Sequence, residues 1–238
     1  YVYKSKATTL YLPEGTASTL TDGTDYTFSD SYSSAEEEEP NACLYSKSDL
    51  VIAGSGSLTV NANYNNGITG KDTLFIQKAS VTVTAVNHGI NGKDSLTIKD
   101  ADITVTSGGD ALRSTNDSDP TLGYLVITGS ALKLTAGEDG IQAETTLTIS
   151  GGTATVTTAG GAGQSISDDT SAKGLKAGTQ VTVTGGTFQL NCCDDAIHSN
   201  GDVTISGGSF TIATGDDGMH ADDTLSISCL LYTSPSPR

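Results

Sequence analysis

The sequence predicts an all-β fold, a right-handed single-stranded parallel β-helix with about 22 residues per coil. Three observations predict it. A Gly- or Ala-led apolar residue returns at a fixed step; each copy carries the same two stretches of alternating apolar and polar residues; and no stretch shows the period of an amphipathic helix.

The recurring step comes first. The series runs Gly67-Ile68, Gly89-Ile90, Ala111-Leu112, Gly140-Ile141, Gly174-Leu175, Ala196-Ile197 and Gly218-Met219, with intervals of 22, 22, 29, 34, 22 and 22 residues. The two long intervals hold insertions at 114–124 and 159–173, and a looser copy begins at Leu44. Next in each copy comes a strand of the type Leu74-x-Ile76, repeated as Leu96-x-Ile98, Leu125-x-Ile127, Leu147-x-Ile149, Val181-x-Val183, Val203-x-Ile205 and Leu225-x-Ile227. A second strand follows, from Val81-x-Val83 to Phe210-x-Ile212. Pairs such as Gly151-Gly152, Gly185-Gly186 and Gly207-Gly208 separate the two, as suits tight turns at positive φ. Three short strands per turn, each turning alternate residues inward, cannot bury a core alone, so stacked coils share a narrow one. The outward residues are largely Thr, Ser, Lys and Asp, and parallel crossovers are right-handed by rule.

The ends depart from the pattern. Residues 1–43 are expected to cap the solenoid, and the run Glu36-Glu37-Glu38-Glu39 within them reads as a solvated loop. Residues 44–228 form the repeats. Residues 229–238 (CLLYTSPSPR) break the repeat and read as a non-native tail. The chain opens at Tyr1 and its single Met is Met219, so the reading is of a fragment or processed form, in which a missing export signal carries no information. Cys43, Cys192, Cys193 and Cys229 show neither metal-ligand spacing nor a disulfide framework.

Charge narrows the function. With 28 acidic against 12 basic residues, the formal net charge is −16. An electrostatic grip on nucleic acid or an anionic membrane surface is excluded as the main role, and no run is apolar enough to span a bilayer. Divalent cations, or a partner reached through them, fit better, and a monomer is expected.

In stacked coils, equivalent positions lie about 4.7–4.9 Å apart. The two residues ahead of each Gly or Ala therefore form a column with two acidic clusters. One holds Asp110, Glu138 and Asp139; the other holds Asp194, Asp195, Asp216 and Asp217, with Lys173 between them. At this spacing each like pair repels by about 1 kcal/mol in water and roughly 3–4 kcal/mol at an effective dielectric near 20. A hard, oxygen-seeking cation removes that cost, so the clusters are candidate Ca²⁺ ligands. Asp also makes good turns, and that reading stands beside the metal one. One position beyond each apolar residue lies a second column, Arg113, Gln142, Lys176, His198 and His220, whose donors are candidates for binding a polyanionic sugar. Ion pairing with nearby Asp is its structural alternative. Trp is absent, and the clear repeats hold only Tyr64 and Tyr124, so charge-mediated binding of an acidic glycan is favoured over stacking.

Several phrases carry a family resemblance: NACLYSKSDLVIAGSGSLTV (41–60), NNGITGKDTLFI (65–76), NHGINGKDSLTI (87–98), GEDGIQAETTLTISGG (137–152) and DDAIHSNGDVTISGGSF (194–210). Over residues 8–228 the chain resembles the carbohydrate-binding β-helix family of anaerobic bacteria that degrade plant cell walls. The resemblance implies an extracellular or surface-displayed, calcium-containing protein that binds acidic pectic polymers such as polygalacturonate, and cellulose as well. It also implies a fold similar to pectate lyases. The favoured expectation is thus a non-catalytic carbohydrate-binding module. The alternatives are a calcium-dependent polysaccharide lyase, with Lys176 or Arg113 as base, and a structural or adhesin solenoid.

Overall fold

A computed structural model describes residues 2, 5–27, 40–167, 169–228 and 231–233. The run Glu36–Glu39 lies outside the described residues, as do 229–230 and 234–238 of the expected tail. The described residues form strands and connecting turns and include no helix long and apolar enough to cross a membrane.

Strands pair in parallel, each with its equivalent in the next repeat. Leu74 and Ile76 of Thr73–Gln77 sit beside Leu96 and Ile98 of Ser95–Lys99. Val81 and Val83 of Ser80–Ala85 sit beside Ile103 and Val105 of Asp102–Ser107. Asn66–Gly70 matches Ile68 to Ile90 of Ile90–Gly92. Inward Leu, Ile and Val from these positions, nearly all under 2 % exposed, make one continuous cluster along the molecule. Near its far end Phe188 and Phe210 stack with ring centroids 4.5 Å apart.

The sheet topology corrects the expected fold class. In place of a right-handed single-stranded solenoid of three separate columns, the strands gather into two parallel sheets, of sixteen and eight strands, layered around the core. The first two strand columns belong to one sheet because Thr146–Thr158 and Gln180–Cys192 run on through both. The physical reason lies at the glycine pairs. Gly151 and Gly152 adopt φ of 76° and 86°, bending the chain without ending the strand. A Cβ on Gly152 would lie 2.1 Å from the Ser130 carbonyl oxygen, so only glycine permits that approach. The third column forms the short sheet, from Ala42–Ser46 to His220–Ala221.

Within the expected capping region, Ala7–Tyr11 pairs with Asp49–Ala53 and Ala17–Thr21 with Ser57–Ala62, prolonging the long sheet. At the other end Leu231–Thr233 pairs with residues 209–211. Cys43, Cys192 and Cys193 are free thiols.

Candidate functional site

The short sheet positions the site. Each of its strands turns one apolar residue inward (Ile90, Leu112, Ile141, Leu175, Ile197) and the next residue outward. The outward residues are paired in register as Asn91, Arg113, Gln142, Lys176, His198 and His220. The polar column is therefore a physical row on one face. It lies beside the turn that carries the acidic column.

The inner residue of each acidic pair does a repeated structural job. Its side chain accepts the backbone N–H of the equivalent residue one repeat on. Asn66 Oδ1 accepts from His88 at 3.2 Å, His88 Nδ1 from Asp110 at 3.0 Å, and Asp110 Oδ1 from Asp139 at 3.1 Å. Asp139 Oδ1 accepts from Lys173 at 2.8 Å and Asp195 Oδ1 from Asp217 at 3.0 Å. Lysine has no acceptor, so the series breaks at Lys173, and the Asp195 N–H turns to Asp194 Oδ1 at 2.8 Å. An unpaired buried N–H would cost about 1–3 kcal/mol, which explains why an acceptor is needed at this place.

The second oxygen of each inner carboxylate meets a cation. Asp110 Oδ2 lies 3.3 Å from both His88 Nδ1 and Arg113 Nη1, and Arg113 Nη1 is 2.8 Å from His88 Nε2. Asp139 Oδ2 accepts from Lys176 Nζ at 3.0 Å, while Ser171 donates to Oδ1 at 2.7 Å. Asp195 Oδ2 lies 2.8 Å from His198 Nδ1 and 3.7 Å from Lys173 Nζ. Lys173 also forms a short contact with Asp194. Asp110, Asp139 and Asp195 are 6 %, 2 % and 4 % exposed, so these pairs are buried at their acidic ends.

The electrostatics follow. Burial opposes ionisation of Asp110, but the Arg113 charge and the Asp139 N–H outweigh it and hold the carboxyl below the usual range. Asp194 is also held low: desolvation raises it, and the Lys173 hydrogen bond and backbone N–H donors more than offset this. Lys173 is raised in turn, burial being outweighed by Asp194, Asp195 and Asp139.

Glu138 is half-buried and Asp216 is exposed. Three groups bring ligand atoms within 4.8 Å of one another: His88 with Asp110 and Glu138; Asp194 with Asp195 and Asp216; and Asp195 with His198 and His220. These groups bring together part of each expected acidic cluster, without Asp139 and Asp217, and Asp110, Asp139 and Asp195 already hold protein donors on both oxygens.

Two adjoining cavities lie over the polar face. One, of about 380 Å³, is lined by Glu138, Gln142, Glu144, Ser171 and Lys176 among others. The other, of about 250 Å³, is lined by Asn41, Asn66, Thr69, Lys71, Asn91 and Lys93. Arg113 and Thr115 line both, so the two make one groove. Lys71 and Lys93 were missed by the sequence reading. Their signal was present in TGKD and NGKD, at equivalent places in adjacent repeats, with the Lys93 N–H donating to the Gly70 carbonyl beside Lys71. Asn41 Oδ1, Thr69 Oγ1 and Arg113 Nε, all on this part of the groove, are buried without a hydrogen-bond partner among the described residues.

The family model described as carbohydrate-binding domain-containing protein matches residues 1–218. The chain belongs to that family. A family relative from Acetivibrio thermocellus, described by the same words, is 44% identical over 149 residues, covering 63% of this chain. The chain spans about half (51%) of that relative's length. A solved structure, the polysaccharide lyase-like protein from C. thermocellum as a gadolinium derivative, is 28% identical with a TM-score of 0.54. That likeness covers 93% of this chain and 66% of the other.

Proposed function

We propose that this carbohydrate-binding family member holds an acidic polysaccharide in the groove over the short sheet, without cleaving it. Lys71, Lys93 and Arg113 supply the positive charge, and Asn91, Thr69 and Gln142 supply neutral donors and acceptors. The observation that carries the reading is the cavity that Lys71, Lys93 and Arg113 line together with the polar side chains of Asn41, Asn66, Thr69 and Asn91. Hydroxyl-rich sugar is a ligand whose donors and acceptors match a polar lining of this kind. The cationic residues favour carboxylate-bearing sugars such as polygalacturonate.

Calcium fits this site as a bridge better than as an enclosed ion. Ca²⁺ takes about 6–8 oxygen ligands. Asp110, Asp139 and Asp195 are held by protein donors, which leaves the outer Glu138 in the groove to offer oxygens, with uronate carboxylates completing the shell.

The lyase alternative draws on the likeness to the polysaccharide lyase-like protein. Lys176 would be its base, yet Lys176 donates to both Asp139 and Ser171, the role of a fixed cation.

Affinity electrophoresis in gels cast with polygalacturonate tests the proposal. Lys71→Ala with Lys93→Ala should weaken retention by about tenfold, or roughly 1.4 kcal/mol. Chelator should weaken it further. Retention unaltered by the double substitution would overturn the groove, and ultraviolet absorbance from unsaturated uronate products would replace binding by lyase activity.

A further inference from the structure

The segment DDAIHSN (194–200) is echoed by DDGMHAD (216–222), and the structure wires the two copies alike. His198 and His220 are register partners on adjacent strands. Their rings stack, with centroids 4.9 Å apart and planes 18° from parallel. Each ring turns Nδ1 to the Asp three residues before it: His198 to Asp195 at 2.8 Å, His220 to Asp217 at 3.3 Å. Each turns Nε2 toward an oxygen two residues after it: Asn200 Oδ1 for His198 and Asp222 Oδ1 for His220, both at 3.0 Å. Each Nε2 therefore sits beside an oxygen, on the two strands beyond Lys176 in the short sheet.

We infer that this pair is a binding site for a divalent transition ion of the zinc class, ligated by Nε2 of His198 and His220, with Asp222 and Asn200 able to add oxygen. Three physical arguments carry it. Imidazole selects zinc-class ions, whereas calcium takes oxygen. A zinc–nitrogen bond is about 2.0–2.1 Å and lies in the imidazole plane, so binding turns the half-exposed His220 ring out of the stack to bring both Nε2 atoms onto one ion. A carboxylate on the second ring nitrogen is the usual orienting partner of a metal-bound histidine, and here Asp195 and Asp217 provide it twice. One atom each from Asp195, His198 and His220 already lie within 4.8 Å of one another. The site is separate from the glycan groove and does not depend on that reading.

Isothermal titration of the full chain with Zn²⁺, in buffer saturated with Ca²⁺, reads the site directly. One equivalent should bind, and His220→Ala, at a half-exposed position, should weaken it at least tenfold with the circular dichroism unchanged. Asp217→Asn keeps both ligands but loosens a ring, and should cost about tenfold. Co²⁺ should give a visible absorption band that His220→Ala abolishes. Zn²⁺ binding of equal strength in wild type and both variants would overturn the inference, marking adventitious binding to an acidic surface. An absence of Zn²⁺ binding to the wild type would overturn it equally.

Discussion

A single carboxylate shows how two readings of the same residue separate. Asp139 reads in the sequence as half of an acidic pair poised for calcium. In the folded chain it accepts from the Lys173 N–H, Ser171 and Lys176, at 2 % exposure. Asp139→Ala would strand a backbone donor and an ammonium, and should destabilise by about 3–5 kcal/mol. Asp139→Asn keeps an oxygen for the Lys173 N–H, the job Asn66 performs earlier in the column, and should cost less, about 1–3 kcal/mol. Urea unfolding in chelator measures both; equal midpoints for the two variants would refute the backbone-acceptor role. The acceptor role was not legible in the sequence because it depends on which way a turn residue points between repeats. The same residue scale carries a pH dependence. Asp110 and Asp194 titrate below their unfolded value of roughly 3.9, so their contribution is full above that value. It is lost as pH falls through the lower folded values. Thermal midpoints should therefore drop below about pH 4, and Asp110→Asn should flatten the decline; an unflattened profile would remove Asp110 as its source.

At the scale of the strand and its bends, glycines have two distinct duties. Gly140 lies where repeats touch: a Cβ there would meet Val156 Cγ1 at 2.3 Å and the Gly174 carbonyl oxygen at 2.7 Å. Gly140→Ala should overpack the core and cost about 1–3 kcal/mol. Gly151 has φ of 76° and open space around its Cβ position, so Gly151→Ala pays only the left-handed backbone term, about 1–2 kcal/mol. The two differ in mechanism, and Gly140→Ala alone should be relieved by Val156→Ala in a double-mutant cycle. Additive costs would exclude the clash. Strand positions and their register were legible, because alternation and a near-constant step mark inward residues in every copy. The continuity of Thr146–Thr158 was not, since a glycine pair spells a turn and a bend with the same letters.

For the whole molecule, the repeat predicted stacking and a shared core, while the joining of two columns into one sheet had to come from the structure. Charge is the property that now belongs to this scale. A polyanion approaching a body of net charge −16 is repelled at long range, and Lys71, Lys93 and Arg113 attract it only near the groove. Salt acts differently on the two terms. Between about 0.01 and 0.1 M, the screening length falls from roughly 30 to 10 Å, which removes most of the body-wide repulsion while sparing contacts of ion-pair length. On the proposed reading, polygalacturonate affinity without calcium should first rise with NaCl, then fall toward 1 M as the screening length nears about 3 Å and the lysine contacts are themselves screened. Lys71→Ala with Lys93→Ala should lower the maximum without moving the rising limb, because that limb reports the rest of the surface. Affinity that falls monotonically from the lowest salt would mean that a larger cationic surface than this groove governs binding, and affinity indifferent to salt would mean that the sugar is held as a neutral chain.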